Sequence, residues 1–148
     1  MNYAYIVAFG TPAPKGSMVY KGHRGGKPVL RPDNEAAQKP WVEAVKWAIT
    51  DSGNPRIEGP VRVEIVFTMP RPKKYDKPKH RNARPATKPD MDKLTRSTWD
   101  ALTTMRVIED DSRIVESAEW KRYEGADGAL DRPGAVIVVK AVEVSGGM

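Results

Sequence analysis

Residues 61–68 read VRVEIVFT, and this stretch alternates apolar and polar side chains with one interruption at Val66. Alternation with a period of two predicts a β-strand that buries one face more than the other. Pro70 and Pro72 end the strand, because proline lacks the N–H that a central ladder needs. The fold class then depends on the elements that lie on either side of this strand.

A strand, a loop and a helix precede it. The aromatic and aliphatic run at residues 3–9 predicts a first strand. Residues 21–34 are rich in Gly, Pro and basic side chains and predict a loop with a short strand at 29–30. Pro40 suits the first turn of a helix, where its missing N–H costs nothing. The apolar face of that helix consists of Trp41, Val45, Ala48 and Ile49.

Three elements follow it. A second helix is predicted from Met91 to Met105, and its apolar stripe comprises Met91, Leu94, Thr98, Ala101, Leu102 and Met105. Residues 114–123 predict a mixed strand, and the apolar run at 135–144 predicts a central strand that is buried on both faces. The order predicts an α+β fold, with two main helices packed on a mixed β-sheet. We expect one domain at 1–144 and a loose tail at 145–148.

The bulk composition narrows the function. A length of 148 residues suits one compact domain. The net charge of +6 favours an acidic partner, nucleic acid above all, although charge that only keeps a protein soluble is the simpler interpretation. The absence of cysteine excludes disulfides and zinc–thiolate sites. No apolar run is long enough to cross a bilayer, so we expect no membrane partner and a cytoplasmic location.

The most basic stretch is the loop at residues 71–88, which carries eight Lys or Arg residues and one acid, Asp76. Its prolines keep it out of helices and central strands. It is interpreted either as a solvated flexible loop or as an arm that binds phosphates. Tyr75 and His80 are weak candidates for stacking on an exposed base. The candidate DNA-binding residues are Lys73, Lys74, Lys77, Lys79, Arg81, Arg84, Lys88 and Lys93.

Acidic residues follow this loop directly. Asp90 and Asp92 stand at the start of the second helix, and Asp110 and Asp111 come about one helix later. A simple interpretation of the first pair is helix capping, which the helix dipole also favours. If instead the following strand packs beside the helix N-terminus, three or four carboxylates converge. Such clusters persist mainly where a cation offsets their repulsion, and all-oxygen ligands suit Mg²⁺ or Mn²⁺.

This arrangement points to phosphodiester cleavage. A Mg²⁺ held by carboxylates activates a water molecule and stabilises the leaving oxygen. Arg96 or Lys93 would balance charge on the reacting phosphorus. Arg96 has an equally good alternative role as an i, i+4 ion-pair partner of Asp92.

Three segments resemble the RusA family of Holliday junction resolvases. They are KPDMDKLTR at 88–96, DALT at 100–103 and VIEDDSRIV at 107–115. The resemblance extends more loosely to GTPAPKGS at 10–17, to the helix of Trp41 and to the last strands. The combined pattern of Asp-x-Asp, Asp-Ala-Leu and Asp-Asp is specific, whereas Asp-x-Asp alone is not.

The resemblance implies a homodimeric, Mg²⁺-dependent endonuclease, with Mn²⁺ as a substitute metal, that makes paired nicks in four-way DNA junctions. It implies that Asp90, Asp92 and Asp111 are the metal-binding and catalytic acids and that Arg96 is the essential basic residue. Arg96 stands where the family often has Lys, so a role in charge stabilisation is implied rather than proton donation. Lys93 stands where Asn is common. Asp110 and Lys15 are secondary candidates.

The resemblance also implies a phage or prophage origin, a role in DNA recombination and repair, and action in the cytoplasm of the bacterial host. Two alternatives remain open: a nuclease of the same chemistry acting on flaps or other branched DNA, and a non-catalytic basic DNA-binding protein. We expect the dimer interface to use the helix that follows Pro40, the first strand, or both.

Overall fold

The computed structural model describes residues 2–15, 18–32 and 35–143. The tail predicted at 145–148 lies outside these ranges. The strands and helices in chain order are β1 Tyr3–Phe9, β2 Met18–Arg24, β3 Lys27–Pro32, α1 Glu35–Asp51, β4 Val61–Met69, α2 Met91–Thr104, β5 Ile114–Tyr123 and β6 Gly134–Ala141. Short 3-10 turns occur at Lys73–Tyr75, Pro78–His80 and Asp111–Arg113.

Four strands form one sheet in the order β1-β6-β4-β5. The pair β4–β5 is parallel, whereas β6 runs antiparallel to both β1 and β4. Both helices contribute to one core with the sheet, in which Ile65 and Ile137 pack with Trp41 of α1 and Leu94 of α2. The predicted α+β fold, with two helices on a mixed sheet in a single small domain, is confirmed.

The loop predicted at residues 21–34 is wrong for most of its length. The chain forms an antiparallel hairpin there, in which β2 pairs with β3. Gly25 and Gly26 lie between the two strands with φ of 61° and 78°. Two consecutive residues with positive φ make the tight turn that two-residue hairpins favour, and glycine adopts it at little cost. The Gly-Gly pair was the missed signal.

The start of the first helix was also predicted wrongly. α1 begins at Glu35, and Pro40 lies inside it instead of in its first turn. The segment EAAQK at 35–39 consists of good helix formers, which favours the earlier start. The predicted apolar face is confirmed, since Trp41, Val45 and Ile49 are buried.

The last strand, β6, is central in the sheet as predicted, but it is buried on one face only. Ala135, Ile137 and Val139 are fully buried, whereas Val136 and Val138 are half-buried. Both α1 and α2 pack on the face that contains the buried residues. Within the described residues, the opposite face of the sheet carries no helix. That uncovered face includes exposed aromatic side chains, namely Tyr3, Tyr5, Phe9 and Trp120.

Candidate nucleic-acid site

Asp90 and Asp92 lie at the start of α2, and the side chains of both are free to bind a ligand. Asp90 occupies the N-cap position with φ −68° and ψ 144°, but its side chain makes no capping hydrogen bond. Asp92 is exposed in the first turn. Within residues 2–15, 18–32 and 35–143, neither carboxylate has a hydrogen-bond or ion-pair partner. The interpretation of Asp90 as a side-chain helix cap is therefore wrong.

Arg96 lies on the same side of α2, one turn after Asp92. It is exposed and makes no ion pair with Asp92 or with any other acid in the described part of the chain. The alternative role as an i, i+4 partner is therefore not realised, and the guanidinium remains available to a ligand. The neighbouring Lys93 is half-buried, and its backbone carbonyl accepts a hydrogen bond from Lys15 N at 2.9 Å.

Asp111 lies at the opposite end of α2. Its carboxylate accepts a hydrogen bond from the hydroxyl of Thr103, one residue before the helix ends. At a rise of 1.5 Å per residue, Thr103 and Asp90 are about 20 Å apart along the helix axis. The strand that follows Asp111, β5, does not begin beside the N-terminus of α2. The carboxylates of Asp90, Asp92 and Asp111 therefore do not converge within one chain.

No group of three or more Asp, Glu or His side chains is gathered closely enough to hold a metal ion within the ranges that the structure describes. Asp90 and Asp92 both lie at the start of α2, whereas Asp111 lies beyond its other end. Two neighbouring carboxylates still suit Mg²⁺, which commonly takes only one or two carboxylates and completes its octahedron with water and substrate phosphate. A three-acid site does not fit a single chain.

The other acids near Asp111 shape the backbone. Asp110 accepts a hydrogen bond from Ser112 N at 2.9 Å. Hydrogen bonding from the side chain of Ser112, and then from its backbone N–H, lowers the pKa of Asp110 below its usual value. Glu109 accepts a hydrogen bond from Gly59 N at 2.7 Å and pairs with Arg113 at 3.5 Å. Asp110 therefore helps to define the turn before β5.

Arg71 holds the basic loop in a fixed shape. Its guanidinium donates to the carbonyl oxygens of Tyr75, His80 and Arg81 at 3.0, 2.8 and 2.7 Å. It also donates to the carbonyl oxygen of Glu124 at 2.9 Å. The loop is thus a tethered structure and not a freely moving arm. Sequence reasoning counted Arg71 only as one more cation, because the pattern gives no sign of where these carbonyls lie.

The remaining cations of the loop face solvent. Arg81 pairs with Asp127 at 3.1 Å, and this contact engages one of the predicted DNA-binding residues. The others have no acidic partner in the described ranges, and they are Lys73, Lys74, Lys77, Lys79, Arg84 and Lys88. Tyr75 packs against His80 and Tyr123 with ring centroids 5.4 and 5.8 Å apart, so both candidate stacking rings already pack within the fold.

A cavity of about 1000 Å³ lies beside Asp90. Segment 10–15 forms one wall, and the end of the basic loop forms the other. Lys15, Lys88 and Lys93 also contribute to its surface. No sequence pattern indicated this cavity, because its walls come from segments that are far apart in the chain.

These features indicate the class of protein to which the chain belongs. A free carboxylate pair that follows a tethered, lysine-rich loop is the arrangement expected of an α+β protein that acts on nucleic acid. A family model described as endodeoxyribonuclease RusA matches residues 10–130, which is most of the chain. The chain therefore belongs to the RusA endodeoxyribonuclease family, and the resemblance noted from the sequence is confirmed.

A comparison with curated proteins gave no match. Neither α1 nor α2 combines the length and the apolar character that crossing a bilayer requires, and this holds for the described ranges.

Proposed function

We propose that this chain is a Mg²⁺-dependent endodeoxyribonuclease that resolves four-way DNA junctions by paired phosphodiester nicks. The observation that carries the proposal is the free carboxylate of Asp90. An N-cap aspartate normally accepts a backbone N–H bond, and here that stabilising contact is absent. The neighbouring basic loop supports DNA as the substrate. The family membership supports endonucleolytic cleavage as the reaction.

Asp90 and Asp92 are the proposed metal ligands at the N-terminus of α2. When bound, Mg²⁺ supplies Lewis-acid activation of a phosphate oxygen and of a water molecule. Arg96, one turn further along the helix, would stabilise the extra negative charge on the reacting phosphate. A guanidinium keeps its proton at all accessible pH values, so its role is electrostatic and not that of a proton donor.

The solvent-facing lysines of the basic loop would hold the phosphate backbone. Their ammonium groups have no acidic partners in the described part of the chain, so they can neutralise phosphates without breaking an ion pair. Each neutralised phosphate releases counterions, which makes binding depend strongly on salt. Arg71 stabilises the loop from inside and is not a direct contact in this proposal.

Asp111 joins the site only if a second chain supplies it. A two-fold axis that passes perpendicular to α2 near its middle places the N-terminus of one α2 beside the C-terminus of its partner. Asp90 and Asp92 of one protomer then meet Asp111 of the other, and the arrangement repeats at the other end. Two equivalent sites of this kind would account for paired nicks.

This geometry favours an interface along α2 and the neighbouring edge strand β5. β5 is at the edge of the sheet and carries exposed Val115 and Trp120. The interface expected from the sequence, on α1 or β1, also has exposed apolar side chains, including Tyr5 and Trp47. An interface at β1 lies at the far edge of the sheet from β5, so it would leave the ends of the two α2 helices apart.

The test is a cleavage assay on a synthetic four-way junction, with nicked flaps, forks and linear duplex as competing substrates. We expect paired nicks that require Mg²⁺, and at least tenfold faster cleavage of the junction than of linear duplex. Asp90→Asn should abolish cleavage and leave junction binding intact, because the amide keeps the size but loses the charge. Asp76→Asn, an exposed acid of the basic loop, is the matched control. Equal cleavage by wild type and Asp90→Asn would refute the proposal.

A further inference from the structure

The proposed cleavage reaction gives no role to the cavity beside Asp90. Its volume of about 1000 Å³ is at the upper end of the range for small-ligand sites and is ample for one nucleotide. Asp90 and Lys93 belong to its wall, so an occupant would touch the start of α2. Any group bound there would lie next to the phosphodiester that the acids face.

The walls of the cavity are largely apolar. Pro12 and Pro85 are buried and contribute ring surfaces, and Met69 and Tyr123 form the deeper part. Met69 is 6% exposed and Tyr123 is 4% exposed, so little of either side chain is open to solvent elsewhere. Surfaces of this kind suit the face of a planar aromatic ring.

The charges around the cavity favour an anion. Lys15, Lys88 and Lys93 line it, and Asp90 is the only acid among the lining residues. Lys15 shares its charge with Asp100, with 2.9 Å between Nζ and Oδ2, whereas the other two lysines have no acidic partner in the described ranges. A ligand with an aromatic body and a phosphate on each side matches this distribution.

Two hydroxyl groups are free to read the edge of such a ring. Thr11 and Thr87 line the cavity from opposite walls, and both are exposed. Neither hydroxyl makes a hydrogen bond within residues 2–15, 18–32 and 35–143. A threonine hydroxyl both donates and accepts, so it can pair with either kind of group on a base edge.

Both walls are fixed in place before any ligand arrives. Lys121 Nζ donates to the carbonyl oxygens of Thr87 and Pro89 at 2.8 and 2.9 Å. Ser97 Oγ donates to the carbonyl oxygen of Ala13 at 2.7 Å and so ties the other wall to α2. A preformed pocket binds more tightly because less order has to be created on binding.

We propose that this cavity receives one unpaired nucleobase of the DNA strand, at the nucleotide adjoining the phosphodiester that is cleaved. The inference rests on the proposed function and adds a specificity determinant to it. Extruding a base is least costly where its pairing is already weakened, and base pairs next to a branch point open more easily than those inside a continuous duplex. The pocket would therefore favour branched DNA over continuous duplex and would position the scissile phosphate against Asp90.

The experiment measures binding in the absence of divalent metal, so cleavage plays no part in it. Junctions carrying a single abasic site, moved one nucleotide at a time across the branch point, are titrated against wild-type protein. Thr87→Trp and Thr11→Trp fill the cavity from opposite walls. Ala86→Trp, next to Thr87 but not part of the lining, is the matched control.

For the wild type and Ala86→Trp, we expect one abasic position to weaken binding about tenfold, the loss of one stacked base. For Thr87→Trp and Thr11→Trp, the same abasic position should have no effect, because the pocket is already occupied. Equal weakening in all four proteins, or no sensitive position in the wild type, would overturn the inference. Nicking is measured in a separate assay. Normal nicking without any abasic position that weakens binding would refute the base-binding pocket but not the proposed cleavage. An abasic position that weakens binding, with no nicking at all, would refute the proposed cleavage but not the pocket.

Discussion

The hydroxyl of Thr103 donates a hydrogen bond to the carboxylate of Asp111, at the end of α2 opposite Asp90. This bond joins the C-terminal turn of the helix to the 3-10 turn before β5. It fixes the direction of a carboxylate that otherwise stands on a short, exposed turn. Hydrogen bonds of this kind commonly orient metal-binding carboxylates.

Replacing Thr103 by Val should therefore slow junction nicking about tenfold, since loss of a group that orients a ligand typically costs 10- to 100-fold. Thr103→Ser keeps the hydroxyl and should restore most of the rate. Thr104→Val, on the next residue and exposed, is the control for helix stability. Equal single-turnover rates for Thr103→Val and Thr104→Val would show that this bond does not orient a catalytic group.

Mixing two inactive variants tests whether each site is shared between chains. Asp90→Asn and Asp111→Asn should each be inactive alone. If the site combines Asp90 of one protomer with Asp111 of its partner, a mixed dimer keeps one intact site and regains nicking of one strand. The assay uses co-expressed, doubly tagged dimers and denaturing gels that resolve single nicks.

The matched control mixes Asp90→Asn with Asp92→Asn. These two residues lie at the same end of α2, so every site in the mixed dimer has lost a ligand and no activity should return. If neither mixture regains nicking activity, the three acids do not form a site that is shared between two protomers.

Arg71→Ala should loosen the basic loop and lower the free energy of unfolding by about 2 kcal/mol, the order expected for losing hydrogen bonds from a charged donor. The cause is the loss of the links from Arg71 to the loop carbonyls and to Glu124. Urea unfolding and limited proteolysis measure the effect. Arg71→Lys should not rescue it, because an ammonium cannot span the same carbonyls. Lys73→Ala is the control, and an equal effect there would contradict this role for Arg71.

Removing charge from the solvent-facing part of the loop should weaken DNA binding in a salt-dependent way. Lys77→Ala and Lys79→Ala together should reduce the slope of log K against log salt by roughly 2, one unit for each phosphate that is no longer neutralised. Fluorescence anisotropy with a four-way junction at several salt concentrations measures the slope. Lys140→Ala removes a cation that is already paired with Glu64 at 3.1 Å and should leave the slope unchanged. An unchanged slope in the double variant would exclude these lysines from the DNA interface.

Glu64 predicts a pH dependence of stability on the uncovered face of the sheet. Hydrogen bonds from Lys140 and Arg62 lower the pKa of Glu64 below its ordinary value of 4.5. A carboxyl group with a lowered folded pKa stabilises the fold fully above its ordinary value, and this stabilisation is lost as the pH falls through the lowered one. Glu64→Gln should therefore lower Tm by about 2 °C at pH 7, a small effect because the pairs are partly solvated.

The difference in Tm between wild type and Glu64→Gln should shrink below about pH 4. Thermal unfolding across a pH series measures it. Lys140→Gln, which removes the main partner, should reduce the same pH dependence. A difference that stays constant from pH 7 to pH 3 would contradict the assignment.

Local periodicity predicted most of the fold. The alternation at 61–68 predicted β4, and the spacing of Leu94 and Leu102 predicted α2, because each pattern depends only on neighbouring residues. What periodicity could not predict was the coverage of the sheet. Val136 and Val138 are apolar, yet they lie on the face opposite to α1 and α2. The packing of these two helices decides which face of the sheet is covered in the described part of the chain.

The candidate acidic residues were named from the sequence, but the distance between them could not be predicted from it. Asp90 and Asp111 are both marked by local motifs, whereas the distance between them depends on the direction in which β5 leaves the turn after α2. That direction follows from the parallel pairing of β5 with β4, a non-local interaction that no local pattern records. Arg71 was misjudged for a related reason, since one of its carbonyl partners, Glu124, lies far away in the sequence.

The length of α2, which has 14 residues, has a further consequence in the proposed dimer. The helix would act as a molecular ruler, because its length of about 20 Å sets the separation of the two cutting centres. Removing one turn would bring them about 5 Å closer, which is more than the roughly 3.4 Å spacing of successive base pairs. Deletions of that size in α2 would therefore shift one nick relative to the other along the DNA.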